Sequence, residues 1–339
     1  MYTRRNIRWN VIMHFAFWQL IVFLIWSVVV TLLFLWCRQR GFDCSIPISP
    51  LGTIGVAVAL YIGFKNNQSY DRGWEARKIW GGIVNVSRSW GNLVLSYISD
   101  KHADERVDSQ KITDFQRTLI YRHIAWLYSL RFQLRRKTPW GYTPKGCPKK
   151  LVQPTDIEAM KREVEQLLPA DELATVCSYS NSATQILRRQ GDQLREAVEG
   201  TPRLTEEFRL IAMMDLVTEM YTLQGKCERI KNTPFPRQYA YFATVFTWIF
   251  VVLLPFGIVG EMASRGGLMI WLSVPLSVIL SWIFVTMDTV GDTSEDPFEN
   301  FINDVPMTTL SRTIEIDLRQ MLGEKDLPEP IQPVNDILM

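Results

Sequence analysis

Four long stretches of this 339-residue chain contain no Asp, Glu, Lys or Arg: residues 10–37, 44–64, 238–260 and 266–287. Each matches or exceeds the ~20 apolar residues that cross a hydrocarbon core of about 30 Å, so four membrane spans are expected. The near balance of 37 basic and 35 acidic residues averages over this segregation. Histidine is scarce too. His14, His102 and His123 are the only three, and none has neighbours at metal-ligand or nucleophile–base spacing. With no P-loop, GxGxxG or GxSxG motif, phosphate-cradling and hydrolytic chemistry lack their residues, and no enzyme is expected. The five cysteines give no disulfide framework; Cys37 and Cys44 fall near one membrane face, and their spacing neither requires nor forbids a bridge. Secondary transporters rely on internal repeats and on charges near the membrane midplane, and the spans carry neither.

What is present sets the orientation. Arg4, Arg5 and Arg8 precede span one; Lys65, Arg72, Arg77, Lys78 and Arg88 follow span two; Arg229, Lys231 and Arg237 precede span three. The opposite side has Arg38, Arg40 and Arg265 in two very short loops. The positive-inside rule therefore puts both termini and residues 65–237 in the cytoplasm. Span one has an apolar run far longer than the ~7–15 residues of a signal peptide and no small-residue cleavage site, so it is expected to be retained. Trp9, Trp36 and Trp271 stand where interfacial anchors belong. Because topology explains the basic residues, the net charge of +2 implies no nucleic-acid partner. Cys147, Cys177 and Cys227 then face a reducing compartment.

The chain divides into spans one and two (1–100), a cytoplasmic region (101–237), spans three and four (238–290) and a C-terminal cytoplasmic segment (291–339). The cytoplasmic parts read as helices over 111–135, 156–168, 180–198, 204–225 and 307–321, the last with Gly323 as its C′ residue. Pro139, Pro144, Pro148 and Pro154 mark a loop, and Thr233-Pro234-Phe235-Pro236 a rigid link into span three. No convincing run of strands occurs. The fold class is all-α, with four transmembrane helices and a helical cytoplasmic region.

Span two is the unusual element. Pro47 and Pro50 fall in its first part, and the clear helix over 51–64 covers about 21 Å, too little to cross alone. Proline is absent from 66–88, and Trp74, Ile79, Ile83, Val86 and Trp90 keep helical spacing, so the helix is expected to continue into the cytoplasm. Gly52, Gly55, Ala59 and Gly63 form a small-residue stripe suited to close packing. Val56, Leu60 and Phe64 form an adjacent apolar stripe. Around an oligomer axis they would make three apolar rings over about 12 Å, a constriction that holds ions back by dewetting. On periodicity alone, packing against other spans is the plainer reading. Asp71, Arg72, Glu75, Arg77 and Lys78 have the spacing of i,i+3 and i,i+4 pairs. Trp74, Trp80 and Trp90 are expected at a packed interface, and Pro255 and Pro275 as packed kinks inside spans three and four.

The string from Gly63 through Lys65, Asn66, Asn67, Gln68, Ser69, Tyr70, Asp71 and Arg72, followed by Trp74, Glu75, Ala76, Arg77, Trp80 and Gly81, resembles the bestrophin family, specifically its bacterial branch. Glu295-Asp296-Pro297-Phe298 with Asn303-Asp304-Val305-Pro306, and Cys227-Glu228-Arg229-Ile230 with Thr233-Pro234 and Pro236, resemble two further family signatures. The resemblance spans residues 1–325. It implies a homopentameric channel for small inorganic ions in the bilayer, with Val56, Leu60 and Phe64 as a hydrophobic neck. A cytoplasmic constriction would fall near Phe208. Asn66, Asn67, Asp71, Arg72 and Glu75 would belong to the signature and the vestibule wall. The family is known chiefly for chloride conduction, while some bacterial members resemble cation channels. Animal relatives bind Ca²⁺ through an acidic cluster at the second signature. This chain keeps Asp292, Glu295, Asp296 and Glu299 but lacks the long acidic run, so no calcium or other cofactor is expected. A membrane-anchored scaffold or sensor is the reading of another class.

Overall fold

The computed structural model describes residues 1–103, 106–140, 157–301 and 303–339, with backbone alone at positions 9–11, 14, 15, 102 and 157. Pro144, Pro148, Pro154 and Cys147 lie outside the described residues, as do the side chains of Trp9, His14 and His102. The described residues form ten α-helices, in order α1 Trp9–Gln39, α2 Ile48–Tyr97, α3 Ser109–Arg135, α4 Ile157–Val164, α5 Ala170–Ser178, α6 Ser182–Glu199, α7 Glu207–Asn232, α8 Arg237–Ser264, α9 Ser273–Asp292 and α10 Met307–Met321. Among the described residues there is no strand, only isolated bridges joining Tyr2 and Val334 to Ile337.

Local chemistry explains the helix ends. Pro47 is the N-cap of α2 and Pro50 sits in its first turn, where a missing N–H costs nothing. No proline follows until Pro139, and α2 runs unbroken for 50 residues, about 75 Å. The Asp108 carboxylate caps α3 by accepting from the Gln110 N–H at 3.0 Å, and the Asn181 side chain caps α6 through the Thr184 N–H at 3.0 Å. Gly323 closes α10 with a φ of 78°. Its N–H donates to the Gln320 carbonyl and that of Glu324 to the Arg319 carbonyl, a Schellman motif at the expected C′ position.

The helices α1, α2, α8 and α9 are long and apolar enough to cross a membrane. Within that layer Leu51, Val58 and Ile62 of α2 pack on Phe250, Leu254 and Ile258 of α8. Val30 and Phe34 of α1 meet Val259 and Ile270, and Phe23 meets Val251 and Val285. Below it a second, larger core takes Trp80 and Trp90 from α2, Trp126 from α3, Leu194 from α6, Met213 from α7 and Ile314 from α10. The lower half of α2 is thus the central member of the second layer. The two chain ends lie together: the Thr3 N–H donates to the Asp336 carbonyl at 2.8 Å and the Leu338 N–H to the Met1 carbonyl at 2.9 Å.

Several expectations need correction. Span four does not start as an α-helix. Residues Gly267–Leu272 form a 3₁₀ segment because Gly266 and Gly267 both take positive φ and reset the chain direction before Ser273. Pro275 lies inside this span but in the first turn of α9, where it interrupts no helix, whereas Pro255 is interior to α8. Helix α5 was not expected; its nine residues are too few for periodicity, although Pro169 before it and Asp171 and Glu172 in its first turn are start signals. The cysteines Cys37, Cys44, Cys177 and Cys227 are free thiols.

Candidate pore-lining surface

Helix α2 has two faces along its whole length. One is buried: Val58, Ile62, Lys65, Ser69, Ala76, Ile83 and Val94 face α7, α8, α9 and α10. On the opposite face Val56, Leu60, Phe64, Asn67, Asp71, Trp74, Lys78, Asn85, Ser89, Asn92 and Ser96 are all exposed. At 100° per residue these positions fall within about 80° of arc, so they form one continuous stripe. Its upper part is apolar and its lower part is polar apart from Trp74. Val56, Leu60 and Phe64 are 62%, 59% and 65% exposed, so none of them packs against another span of the same chain.

The small-residue stripe divides. A Cβ on Gly55 would lie 2.9 Å from the Phe250 ring, so Gly55 permits the close approach of α8. Gly52 and Gly63 have open space around them, so within the protomer only part of the stripe packs. Trp80 and Trp90 are fully buried, but Trp74 is half exposed and stacks on exposed Tyr70 at 6.4 Å between centroids. The difference is angular: Trp74 belongs to the exposed stripe and the other two to the buried face.

The signature residues sort in the same way. Asn67 and Asp71 sit on the exposed stripe. Asn66 and Arg72 turn to the packed side, where the Asn66 amide donates to the Met287 carbonyl at 3.0 Å. Arg72 donates to the Ile230 carbonyl at 2.6 Å and also to the Thr233 carbonyl, closing the C-terminus of α7. Glu75 stands at the stripe's edge and accepts from Arg229 at 2.7 Å. None of the i,i+3 or i,i+4 pairs expected between 71 and 78 forms, because tertiary partners take Arg72 and Glu75. Phe208, 82% exposed, lies in the first turn of α7, far from the apolar stripe. Leu223 packs on Gly82 and Arg209 stacks on Tyr97 at 5.3 Å, so α7 runs antiparallel to α2. Phe208 is therefore level with the end of α2, about 50 Å beyond Phe64.

The joint beneath the apolar stripe was not anticipated. Lys65 is 1% exposed and its Nζ donates to Asp288 at 2.8 Å and to Asp292. Thr244 of α8 donates to the other Asp288 oxygen at 3.0 Å, so three helices meet on one ammonium–carboxylate cluster. A signal existed: Lys65 and Asp288 are each the first charge after an uncharged run. Further down, Glu295 accepts from Arg237 at 3.1 Å, Asp296 lies 3.8 Å from Arg237, and Glu299 accepts from Lys231 at 2.5 Å. The Asp304 carboxylate accepts from Arg135 at 2.8 Å and from the N–H groups of Phe298, Asn300 and Val305. Phe298 and Asn300 take φ of 77° and 70° to aim those groups inward. The acidic residues of the second signature are thus engaged by cations. Among the described residues no cluster of three or more His, Cys, Asp or Glu has a metal-binding arrangement.

Among the groups outside the membrane layer that burial shifts, Glu295 and His123 bear on the site. Glu295 is pushed up to about 7 by burial and by the neighbouring Asp296 and Asp292, against the pull of Arg237 and Lys65. His123, sealed between Trp90 and Trp126 and hydrogen-bonded to Ser87 at 2.8 Å, is lowered to about 3 by burial and is a neutral structural residue.

The model for the bacterial/fungal bestrophin proteins matches residues 5–320. The chain is similar to the voltage-dependent anion channel-forming protein YneE of Escherichia coli K12, at 27% identity over 93% of this chain and 89% of that protein. It is similar to the YneE protein of Salmonella typhi at 28% identity over 92% and 88%, and to the voltage-dependent anion channel-forming protein mll4386 of Mesorhizobium japonicum at 27% over 90% and 84%. A crystal structure of a bacterial bestrophin homologue from Klebsiella pneumoniae superposes with a TM-score of 0.74 at 24% identity, covering 91% of this chain and 99% of that one.

Proposed function

The chain belongs to the bacterial/fungal bestrophin family, and from that premise we propose that it is a passive ion channel of the cytoplasmic membrane, conducting anions such as chloride along the axis of a homopentamer. Both termini and the α3–α7 region lie in the cytoplasm in this reading, in line with the basic residues beside Lys65 and Arg237. The observation that carries it is the bare face of α2. Val56, Leu60 and Phe64 are exposed in the protomer, and their stripe continues into Asn67, Asp71, Asn85 and Asn92. An apolar segment leading directly into a polar one on a single face suits a dewetted neck opening into an aqueous vestibule. The names of the similar proteins from Escherichia coli, Salmonella typhi and Mesorhizobium japonicum supply the anion preference. Sodium conduction by the same architecture is the second reading, favoured by Asp71, a carboxylate on the same stripe.

The neck reading makes a direct prediction. Replacing Val56, Leu60 and Phe64 together by Ala widens and wets the constriction, and single-channel conductance in planar bilayers rises. A triple variant that assembles normally and conducts as the unmodified protein does makes these residues packing rather than neck. Native mass in lipid nanodiscs is expected at five protomers. An electrically silent monomer would favour the scaffold reading instead. Reversal potentials that follow a chloride gradient support anion conduction, and potentials that follow sodium reverse the sign.

A further inference from the structure

Around the lower end of the apolar stripe nearly every carboxylate has a cationic partner. Asp288 and Asp292 share Lys65, Glu75 has Arg229, and Glu295 and Asp296 have Arg237. Asp71 differs. It is exposed on the stripe of Val56, Leu60 and Phe64 and has no ion pair or hydrogen bond among the described residues. A charged side chain without a partner, on a face that no part of its own chain covers, is available to whatever moves along that face. Seven residues separate Phe64 from Asp71, so the carboxylate lies about 10 Å below the last apolar ring. It is the first charge on the stripe beyond the neck.

We propose that Asp71 is a specificity-determining residue of conduction: its carboxylate raises the cation and lowers the anion concentration at the cytoplasmic mouth of the neck. This rests on the pore reading of α2. In the proposed pentamer an ion at Phe64 faces five such carboxylates about 10 Å away. With a screening length of about 8 Å, their summed effect is of order RT, a bias of about threefold on each ion and so of about sevenfold on their ratio. The opposing charge does not cancel it. Lys78, the next charge on the stripe, is about 21 Å from Phe64 and is almost fully screened there. Lys226 of α7 is no nearer, because the Arg229–Glu75 and Leu223–Gly82 contacts bracket it at the level of Lys78. Asp71 thus works against anion flow, and the anion throughput of the neck is set below what its apolar rings would allow.

The test measures the anion-to-cation permeability ratio from reversal potentials in sodium chloride gradients. Asp71→Asn is expected to raise the ratio about sevenfold near 0.15 M salt, and the difference is expected to vanish near 1 M, where the screening length is about 3 Å. Asp71→Glu is expected to keep the original ratio. If the Val56, Leu60 and Phe64 triple variant changes conductance while Asp71→Asn leaves the ratio unchanged, the role of Asp71 is overturned and the pore reading stands. If neither variant changes conduction, both are overturned. Should Asp71→Asn fail to assemble, the unmodified protein still decides: its anion-to-cation ratio must climb with ionic strength, and a constant ratio overturns the inference.

Discussion

Removing the Lys65 ammonium leaves the Asp288 carboxylate buried between α2, α8 and α9 with Thr244 as its remaining side-chain partner. Stranding one member of a buried pair costs roughly 3–5 kcal/mol. Lys65→Met is therefore expected to lower the thermal midpoint of the detergent-solubilised protein by about 5–10 °C. Adding Asp288→Leu should restore part of the loss, since the deeper carboxylate is then gone and Asp292, the other partner of Lys65, is partly exposed to water; an unchanged midpoint in Lys65→Met would remove the cluster from the joint. Glu295 makes a prediction of the opposite kind. One of its oxygens meets Arg237 while the other is buried without a partner, and its folded pKa of about 7 exceeds the ordinary 4.5. The folded protein therefore holds a proton that the unfolded chain has already lost between those values. Stability falls as pH rises from about 4.5 to 7, by up to about 3 kcal/mol, and is then level. Glu295→Gln should flatten that slope in denaturation series at pH 5 and pH 8; an identical slope in the variant would place the proton elsewhere.

At the scale of elements, α2 joins the two layers, and its rotational register decides which residues are bare. Gly55 and Gly52 test the two sides of that register. Gly55→Leu drives a side chain into the Phe250 ring and should cost about 1–3 kcal/mol of protomer stability, read as a lower thermal midpoint. Gly52 has open space around it, so Gly52→Leu should leave the protomer intact and act on assembly, read as a loss of oligomer mass with an unchanged midpoint. Much of this element was legible beforehand. The proline-free run and the spacing of Ile79, Ile83, Val86 and Trp90 predicted its continuation, and the Val56, Leu60 and Phe64 stripe was separable from the glycines. What periodicity could not supply was which stripe meets another helix. That depends on contacts between residues some 200 positions apart, such as Gly55 with Phe250, and no local pattern encodes them. Trp74 shows the same limit: composition marks tryptophan for a packed interface, and only its angle on α2 separates it from Trp80 and Trp90, which pack inside the protomer.

In the whole molecule, uncharged runs located the four helices long and apolar enough to cross a membrane, because bilayer thickness is a constraint on the segment alone. The second helical layer was also readable, through periodicity and the cap at Gly323. The ion pairs were not: Asp304 and Arg135 lie far apart in the chain, and at the joint the sequence marks Lys65 and Asp288 as the first charges after uncharged runs without showing that they meet. That separation has a consequence for synthesis. Asp288 follows Lys65 by 223 residues, which take roughly 10–45 s to translate at 5–20 residues per second. Through that interval the nascent α2 carries an ammonium at the edge of the bilayer with no carboxylate to receive it. Its long aliphatic stem can meanwhile reach the lipid phosphates. The joint at Lys65 is thus completed only when the last of the four long apolar helices has been made.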